Sequence, residues 1–502
     1  MGIILFHEPD GRVREISAAS GTPLKDLIEP GFADMPCGGA GRCGKCCVVA
    51  RGELSKPGED EVRLLGAAIS RGIRLACRTL VMGNAEIFSM GDQSVQEIQG
   101  DGIMPLFEPD PIFAYYGAAV DIGTTTLAAR LYDRSGKLLS WAAAPNPQRI
   151  YGADVISRIE KSLAGERENL AGCVRAGIDA LHLSMAEEAG ISPDRIDTVV
   201  LTGNTTMLYL LTAKDPFCLS RAPFIADELF GRELSAEELT LSSVPKARLY
   251  LPRCMSSFVG ADITTAMLAS QICNQPEKAL MADIGTNGEL ALWDGKRLLC
   301  CSTAAGPVFE GAEISQGMQG RPGAIDHVSW ENGGIHCHVI GDAPACGICG
   351  SGVIDAVAVL CEQEIIDETG YMEDEPYALA PAVSLTGKDV RMVQLAKSAI
   401  CAGILTLLEA AKTEPADLNQ LAIAGGFGSF LDLGNAARIG LYPSELKEKA
   451  VVLGNAALSG ASMILLRRSF MEKADLLAQK SETVDLTTSP VFTEYYMDCM
   501  EF

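Results

Sequence analysis

Short stretches of alternating apolar and polar residues dominate the first 90 positions. Such alternation is typical of strands that have one buried face. It predicts two strands around a turn at 9–11, followed after a short helix by two further strands that flank a second helix. The predicted strands are 3–7, 13–16, 47–50 and 85–88, and the predicted helices are 22–28 and 59–68. The pattern therefore indicates a small unit of mixed strands and helices over residues 1–91.

The alternation ends at residue 92. Residues 92–113 contain Pro105, Pro109 and Pro111, several acidic residues and no convincing periodicity. Proline-rich segments without periodicity are typical of connections between domains. We therefore expect a linker over 92–113.

From residue 114 onward the hydrophobic pattern occurs twice in the same order. Asp-Ile-Gly-Thr stands at 121–124 and again at 283–286, each time between a buried strand and an alternating strand. The stretches 197–211 and 419–433 each read as a buried strand, a glycine-containing loop and a helix. A weaker third pair is the helix near 153–159 and that at 350–360. Such a repeat predicts two related α/β lobes with a ligand cleft between them.

The first lobe is expected over about 114–280 and the second over about 281–470, with a C-terminal segment to 502. In the Asp-Ile-Gly-Thr loops, backbone N–H groups and threonine hydroxyls project where they can bind phosphate oxygens. The carboxylates of Asp121 and Asp283 are suited to hold Mg²⁺ through its waters and to lie near an attacking water. Ordinary tight hairpins are the alternative. The loop 424–428, Ala-Gly-Gly-Phe-Gly, would let a base or ribose lie on the backbone.

Length and charge narrow the class of protein. A chain of 502 residues is too long for one core, which agrees with several folding units. The net charge of −24 would repel a phosphate backbone, so nucleic acid is not an expected partner. The longest apolar stretch, 451–466, is interrupted by polar residues and glycines, so we expect no membrane span. No basic and apolar signal segment opens the chain, and we expect a cytoplasmic protein.

The 17 cysteines are not evenly distributed, and this changes the interpretation of the first 91 residues. Cys37, Cys43 and Cys46 have the spacing C-x5-C-x2-C, and Cys77 follows. Four thiolates, three of them on one glycine-rich loop, are what a [2Fe–2S] cluster requires. A zinc site or buried thiols are the alternatives. Cys47 adjoins a ligand but points the opposite way in a strand, which indicates a core position.

Together these motifs resemble known families. The order of elements and the cysteines of 1–91 resemble a β-grasp [2Fe–2S] ferredoxin, with a first gap like that of the adrenodoxin type. The two Asp-Ile-Gly-Thr loops and the loop 424–428 resemble the phosphate and adenosine motifs of the sugar kinase, Hsp70 and actin superfamily, whose lobes have a ribonuclease H-like fold. The fusion of the two, with NPQRIYGADVISRI, AAGPVFEGAEISQGM, CGICGSGVIDA and IAGGFGSFLDLGNAARIGLYP, resembles the reductive activators of corrinoid proteins.

This resemblance implies ATP-dependent transfer of one electron from a [2Fe–2S] cluster to Co(II) of a corrinoid protein in a methyltransferase system, which regenerates Co(I). It also implies a low-potential electron donor. It assigns the cluster to Cys37, Cys43, Cys46 and Cys77, and Mg²⁺ and water positioning to Asp121 and Asp283. The residues that it assigns to ATP are Gly123, Thr124, Thr125, Gly285, Thr286, Asn287, Gly425, Gly426 and Phe427. Longer members carry a further middle domain before the first phosphate loop, and the closeness of Asp121 to the linker suggests that this domain is missing here.

Two further segments carry weaker hypotheses. The loop 307–317 gathers Glu310, Glu313 and Ser315 among glycines, and Ser315 is a candidate contact to the corrinoid. A lobe-connecting loop is the alternative there. Cys346 and Cys349 form an isolated C-x2-C, for which a structural role is favoured over a redox one.

Three other functions compete with reductive activation. The first is a chaperone-like or actin-like module that uses nucleotide to switch partners and a cluster as a redox sensor. The second is a small-molecule kinase fused to an electron carrier. The third is a relative of the radical-type dehydratase activators, and the [2Fe–2S] cysteine pattern argues against it.

Overall fold

A computed structural model gives the fold of most of the chain. It describes residues 2–7, 13–29, 32–33, 35, 39, 41, 46–65, 69, 72–89, 102–426 and 430–502. Several predictions lie outside these residues. They concern the turn at 9–11, the end of the helix 59–68, the first part of the linker, and the side chains of Cys37, Cys43 and Phe427.

The N-terminal residues form one mixed sheet around a small apolar core. Its strands are β1 (Gly2–His7), β2 (Val13–Ala18), β3 (Thr22–Pro23), β4 (Cys47–Leu54), β5 (Ile73–Leu75) and β6 (Leu80–Ser89). The order is β2-β1-β6-β4-β5, with β3 paired to β6, and only the β1–β6 pair is parallel. Helix α1 (Glu59–Leu65) lies between β4 and β5. The four predicted strands are confirmed, whereas the helix predicted at 22–28 is only strand β3 and a single 3₁₀ turn at Leu24–Asp26.

The first lobe is built on a six-stranded sheet. Its strands are β7 (Tyr116–Ile122), β8 (Thr126–Asp133), β9 (Leu138–Pro145), β10 (Ile196–Gly203), β11 (Arg232–Ser235) and β12 (Arg248–Leu251), and their order is β11-β12-β10-β7-β8-β9. Its helices are α2 (Val155–Lys161), α3 (Arg167–Ala189), α4 (Thr205–Leu211), α5 (Phe217–Ser220) and α6 (Ala261–Ser270). Both Asp154 and Asn204 accept a backbone N–H at the start of a helix, which fixes where α2 and α4 begin.

The second lobe repeats this plan. Its sheet contains β13 (Ala279–Ile284), β14 (Gly288–Trp293), β15 (Leu298–Thr303), β21 (Gln420–Ala424), β22 (Ala450–Gly454) and β23 (Ser481–Thr483), in the order β22-β21-β13-β14-β15-β23. In both lobes two antiparallel pairs follow the first strand, and two parallel strands lie on its other side. The duplication predicted from the sequence is thus confirmed in the order and direction of five strands, whereas the sixth strands, β11 and β23, lie at opposite edges of their sheets.

The rest of the second lobe consists of two small sheets and a set of helices. Small sheets are formed by β16 (Ala324–Glu331), β17 (Gly334–Val339) and β18 (Gly347–Ile348), and by β19 (Tyr377–Ala380) and β20 (Val383–Leu385). The helices are α7 (Gly350–Glu362), α8 (Gly387–Ala410), α9 (Leu433–Arg438), α10 (Ala456–Leu466), α11 (Arg468–Lys480) and α12 (Pro490–Asp498). Helix α8 is long and apolar enough to cross a membrane by length and composition, but 78% of that apolar window is buried inside the protein. It packs on β14, β15 and α12, as a core helix does.

Helices α6 and α10 occupy equivalent places in the two lobes and pack against each other between the two sheets. Their close approach depends on Gly460, because a Cβ there would lie 1.8 Å from the carbonyl oxygen of Thr265. One apolar cluster includes residues of both sheets and of both helices. The lobes therefore share a core, and the cleft between them opens beside it.

The described second half of the predicted linker, residues 102–113, is extended and lies along the C-terminal helices. The backbone N–H groups of Ile103, Asp110 and Ile112 donate to the carbonyl oxygens of Leu453, Leu466 and Leu465. The side chains of Ile112 and Phe113 are buried. This strap, residues 102–113, holds the start of the ATPase-like part against α10.

Candidate functional site

A cleft of about 630 Å³ lies between the lobes, and both Asp-Ile-Gly-Thr loops line it. Asp121 pairs with Thr202 of β10, and Asp283 pairs with Ala424 of β21, which is the equivalent position in the second sheet. In each hairpin the glycine N–H donates across the turn at 3.0 Å, from Gly123 to Thr126 and from Gly285 to Asn287. The two loops thus face each other, and the structure brings together the residues predicted for them.

Asparagine side chains hold the first loop in shape. The Asn146 amide donates to the Gly123 carbonyl oxygen at 2.8 Å, and the Asn204 amide lies 3.3 Å from the Thr124 hydroxyl. The guanidinium of Arg158 donates to the Thr124 carbonyl oxygen at 2.6 Å and is fully buried. Burial lowers the pKa of Arg158 to about 10, while the carboxylates of Asp154 and Glu310 oppose that shift. Arg158 therefore remains a cation directly behind the loop.

The floor of the cleft is unusually acidic. Burial raises the pKa of Asp121 to about 6, and the hydrogen bond from Asn455 limits that rise. Burial and the neighbouring charge of Asp121 raise the pKa of Asp283 to about 7. Burial, which disfavours the charged form of a carboxylate, is thus the main cause of both shifts.

Two further carboxylates in the cleft were not found by sequence reasoning. The pKa values of Asp262, at the start of α6, and of Glu289, on β14, are both raised by burial and by neighbouring carboxylates. Within the described residues no three His, Cys, Asp or Glu side chains lie close enough to bind one bare metal ion. Together with Asp121 and Asp283, these two carboxylates line the cleft and fit a hydrated divalent cation held through its waters, as is usual for Mg²⁺.

Glu310 joins the two loops across the cleft. Its carboxylate accepts a hydrogen bond from the Thr286 hydroxyl at 2.6 Å and another from the Thr125 hydroxyl. The residue ends a 3₁₀ turn, Pro307–Glu310, that is anchored by the buried side chains of Val308 and Phe309. Sequence analysis placed Glu310 in a polar loop but gave it no partner.

The glycine loop after β21 lies at the second-lobe side of the cleft. Gly425 and Gly426 line the cleft with Phe430, and Phe427 is outside the described residues. Gly425 has a φ of 97°, and a Cβ there would lie 2.7 Å from the Asp283 carboxylate. Only glycine suits this position, because it combines a left-handed backbone with close approach to the acidic floor.

Ser315 lies away from the residues that line the cleft. Its side chain is exposed, and its backbone N–H donates to the Asp389 carboxylate at 2.6 Å. Asp389 also completes the capping box of α8 with Thr386. The loop 307–317 thus has one end at the cleft and the other at the start of the long core helix.

In the N-terminal sheet, two of the four predicted cluster cysteines are described and lie together. The Sγ atoms of Cys46 and Cys77 are 3.2 Å apart. The turn that carries Cys77 is held by the fully buried Glu61, whose carboxylate accepts from Arg74, from the Leu75 N–H and from the Thr79 hydroxyl. Burial disfavours the charge of Glu61, but the hydrogen bonds from Arg74 and Leu75 outweigh it and lower its pKa.

The other cysteine hypotheses concern the core and the second lobe. Cys300 and Cys301 are fully buried on β15 and belong to the core. Cys47 is partly exposed and packs against the N-terminal core. Cys346 is exposed and Cys349 is buried at the start of α7, so the two thiols of this C-x2-C have different environments.

Comparisons with known proteins agree with this architecture. Residues 277–502 match the family model of the C-terminal domain of RACo, the ASKHA domain, and residues 116–275 match that of the RACo middle region. The second match covers the first lobe and begins at the strand that leads into the first phosphate loop.

Individual relatives match over most of the chain. The corrinoid activation enzyme RamQ of Eubacterium limosum is 34% identical over 414 residues, which are 76% of this chain and 69% of the relative. A [Co(II) methylated amine-specific corrinoid protein] reductase of Methanosarcina barkeri is 27% identical over 417 residues, 76% of each chain. The solved structure of a reductive activator for corrinoid, iron-sulfur protein is 28% identical, has a TM-score of 0.72, and covers 100% of this chain and 98% of its own.

Proposed function

Because the chain belongs to the RACo family of reductive activators, we propose that it reduces the cobalt of a partner corrinoid protein from Co(II) to Co(I) in an ATP-dependent reaction. The observation that carries the nucleotide part is the pair of Asp-Ile-Gly-Thr loops that face each other in one acidic cleft. The relatives' names support the corrinoid part, since they describe corrinoid activation and Co(II) corrinoid protein reduction.

In the cleft, different groups of the protein would bind different parts of ATP. The N–H and hydroxyl groups of Gly123, Thr124, Thr125, Gly285, Thr286 and Asn287 would bind the phosphate oxygens. Asp121 and Asp283 would hold hydrated Mg²⁺ and orient the attacking water. With a pKa of about 7, the Asp283 carboxylate can also accept a proton from that water near neutral pH. Gly425, Gly426 and Phe427 would lie against the adenosine.

The N-terminal sheet would act as a [2Fe–2S] ferredoxin domain over residues 1–91. The adjacent Sγ atoms of Cys46 and Cys77 fit a shared cluster, and the spacing of Cys37 and Cys43 completes the set of four. When bound, such a cluster supplies one electron at a time, at a potential of about −400 mV in plant-type ferredoxins. Two adjacent cysteines also suit zinc, so iron content and visible absorption decide between the metals.

ATP supplies the driving force that such a cluster lacks, because Co(I) is a stronger reductant still. Nucleotide can do this only by binding one arrangement of the lobes more tightly than another. Glu310 and Asn455 link the two lobes at the cleft, since each belongs to the second lobe and hydrogen-bonds to the first. Binding of nucleotide in the cleft would change these contacts and so the arrangement of the lobes. Closing the lobes around ATP would therefore change the surface offered to the corrinoid protein.

Ser315 remains a candidate contact to the corrinoid. Its exposed hydroxyl lies on the loop that also carries Glu310, so a change in the cleft can reach it through a few residues. The rate at which the Ser315→Ala variant activates a corrinoid protein tests this role. A rate equal to that of the wild type would remove Ser315 from the contact surface.

The main experiment mixes the protein, Mg²⁺, ATP and a low-potential reductant with a Co(II) corrinoid protein and follows the absorbance of Co(I). We expect Co(I) to appear only when both ATP and the protein are present. Absence of reduction across corrinoid partners, together with nucleotide-dependent partner binding, would favour a chaperone-like module. Phosphorylation of a small molecule would favour a kinase fused to an electron carrier.

A further inference from the structure

Glu310 uses the same hydrogen-bond donors that the proposed function assigns to phosphate. One carboxylate oxygen accepts from Thr286 of the second phosphate loop, and the other accepts from Thr125 of the first. A threonine hydroxyl has one hydrogen to donate. Each hydroxyl can therefore serve Glu310 or a phosphate oxygen, but not both at once.

The charges around Glu310 strengthen this competition. Asp121, Asp262 and Asp283 line the same cleft, where the described cations are Arg321 in the lining and the buried guanidinium of Arg158 behind the first loop. A phosphate group placed between the loops would meet the Glu310 carboxylate as a like charge as well as a rival acceptor. Two like charges about 4 Å apart repel strongly where water is excluded.

We propose that Glu310 is an internal competitor of the nucleotide's terminal phosphates. Without nucleotide, the Glu310 carboxylate takes the place of the phosphates and joins the two loops through their threonine hydroxyls. ATP binds only when this carboxylate moves away from the two threonines. Glu310 thereby lowers the affinity for ATP and sets the ATP concentration at which the cleft fills. This inference rests on the proposed function, since it requires that the cleft binds ATP.

Displacement of the Glu310 carboxylate would also move the loop 307–317, part of which is exposed at the surface. Glu310 belongs to the loop 307–317, whose other end is fixed to the start of α8 by the bond between the Ser315 N–H and Asp389. A carboxylate that leaves the two threonines pulls on a loop anchored at both ends. Phosphate binding in the cleft thereby changes the conformation of the exposed segment around Ser315.

Calorimetric binding of Mg²⁺ with a non-hydrolysable ATP analogue (β,γ-imido-ATP) tests the inference directly. We expect Glu310→Gln to bind the analogue roughly tenfold more tightly than the wild type, because a competing charged acceptor is removed. AMP, which lacks the competing phosphates, should bind both proteins equally. Glu313→Gln is the matched control, since Glu313 is an exposed carboxylate of the same loop and should leave the affinity unchanged.

Unchanged or weaker binding of the analogue by Glu310→Gln would contradict the inference. If Glu310 is instead a catalytic base or holds the Mg²⁺ waters, Glu310→Gln will bind the analogue as well as or less tightly than the wild type, and the inference is wrong. Failure of wild type and variant alike to bind the analogue would instead refute the proposed nucleotide site. Small-angle scattering of Glu310→Ala without nucleotide is a second measurement, for which we expect a larger radius of gyration than for the wild type. An unchanged radius of gyration would refute the claim that Glu310 holds the two loops together without nucleotide.

Discussion

The side-chain amide of Asn455 donates a hydrogen bond to the Asp121 carboxylate over 3.0 Å. The two residues are 334 positions apart, and the bond links the end of β7 in the first lobe to the start of α10. The Asn455 oxygen accepts the Leu458 N–H at 2.8 Å and so also begins α10. One side chain thus fixes a helix end and orients the first aspartate of the cleft.

Separating these two roles gives the first prediction. In Asn455→Ser the hydroxyl can still cap α10, but the donor to Asp121 is lost. We expect near-normal thermal stability and an ATP hydrolysis rate that is about five- to tenfold lower, the usual size of one hydrogen bond. Steady-state ATPase assays and thermal unfolding measure both. An unchanged ATPase rate would show that Asp121 needs no support from Asn455.

Asp283 carries the second prediction. If its carboxylate accepts the proton of the attacking water, Asp283→Asn will lower the rate of ATP hydrolysis by about 100-fold or more. The visible absorption of the N-terminal domain should not change. Asp294→Asn is a matched control, because Asp294 follows the far end of the same strand pair, bonds to Arg297 of the next turn, and is not among the residues that line the cleft. Equal losses in the two variants would contradict a role in hydrolysis.

The third prediction concerns the cluster cysteines. Cys77→Ala should abolish the visible absorption and lower the iron content, because its Sγ lies beside that of Cys46. Cys47→Ala should retain both, since Cys47 packs against the core of the domain. Absorption spectra and iron analysis of freshly prepared protein provide the test. Cluster loss in the Cys47 variant would exchange the roles assigned to the two cysteines.

Glu61 should hold the Cys77 turn in place. A glutamine at this position cannot accept all the hydrogen bonds of Arg74, and breaking a buried ion pair costs about 3–5 kcal/mol. We expect faster hydrogen exchange in β5 and β6 of Glu61→Gln and a lower iron content. Glu53→Gln changes an exposed glutamate of the same sheet and should match the wild type. Normal exchange in Glu61→Gln would show that the turn is held by other contacts.

The buried His182 predicts a dependence of stability on pH. Burial lowers its pKa from 6.5 to about 4, so between these values the unfolded chain binds a proton that the folded protein excludes. Stability that is present above pH 6.5 is therefore lost as the pH falls towards 4, by about 3 kcal/mol. Urea unfolding at pH 7 and pH 4.5 should show a smaller difference in His182→Gln than in the wild type. In the exposed-site control His336→Gln, the full difference should persist.

The duplicated lobes could be predicted from sequence because each repeat combines a distinctive motif with strands of matching pattern. Asp121 and Asp283 were found for the same reason. Asp262 looks like any acidic residue in the first turn of a helix, and Glu289 like a polar position on a strand. Their role in the acidic floor arises only when two lobes meet, and so does the bridge made by Glu310.

The strap also limits how far the N-terminal domain can lie from the cleft. Gly102 lies so close to α10 that a Cβ there would be 2.3 Å from the Asn455 carbonyl oxygen. Twelve residues separate it from Ser89 at the end of β6, and a chain of that length reaches about 45 Å at most. The end of β6 in the proposed ferredoxin domain therefore lies within that distance of Asn455.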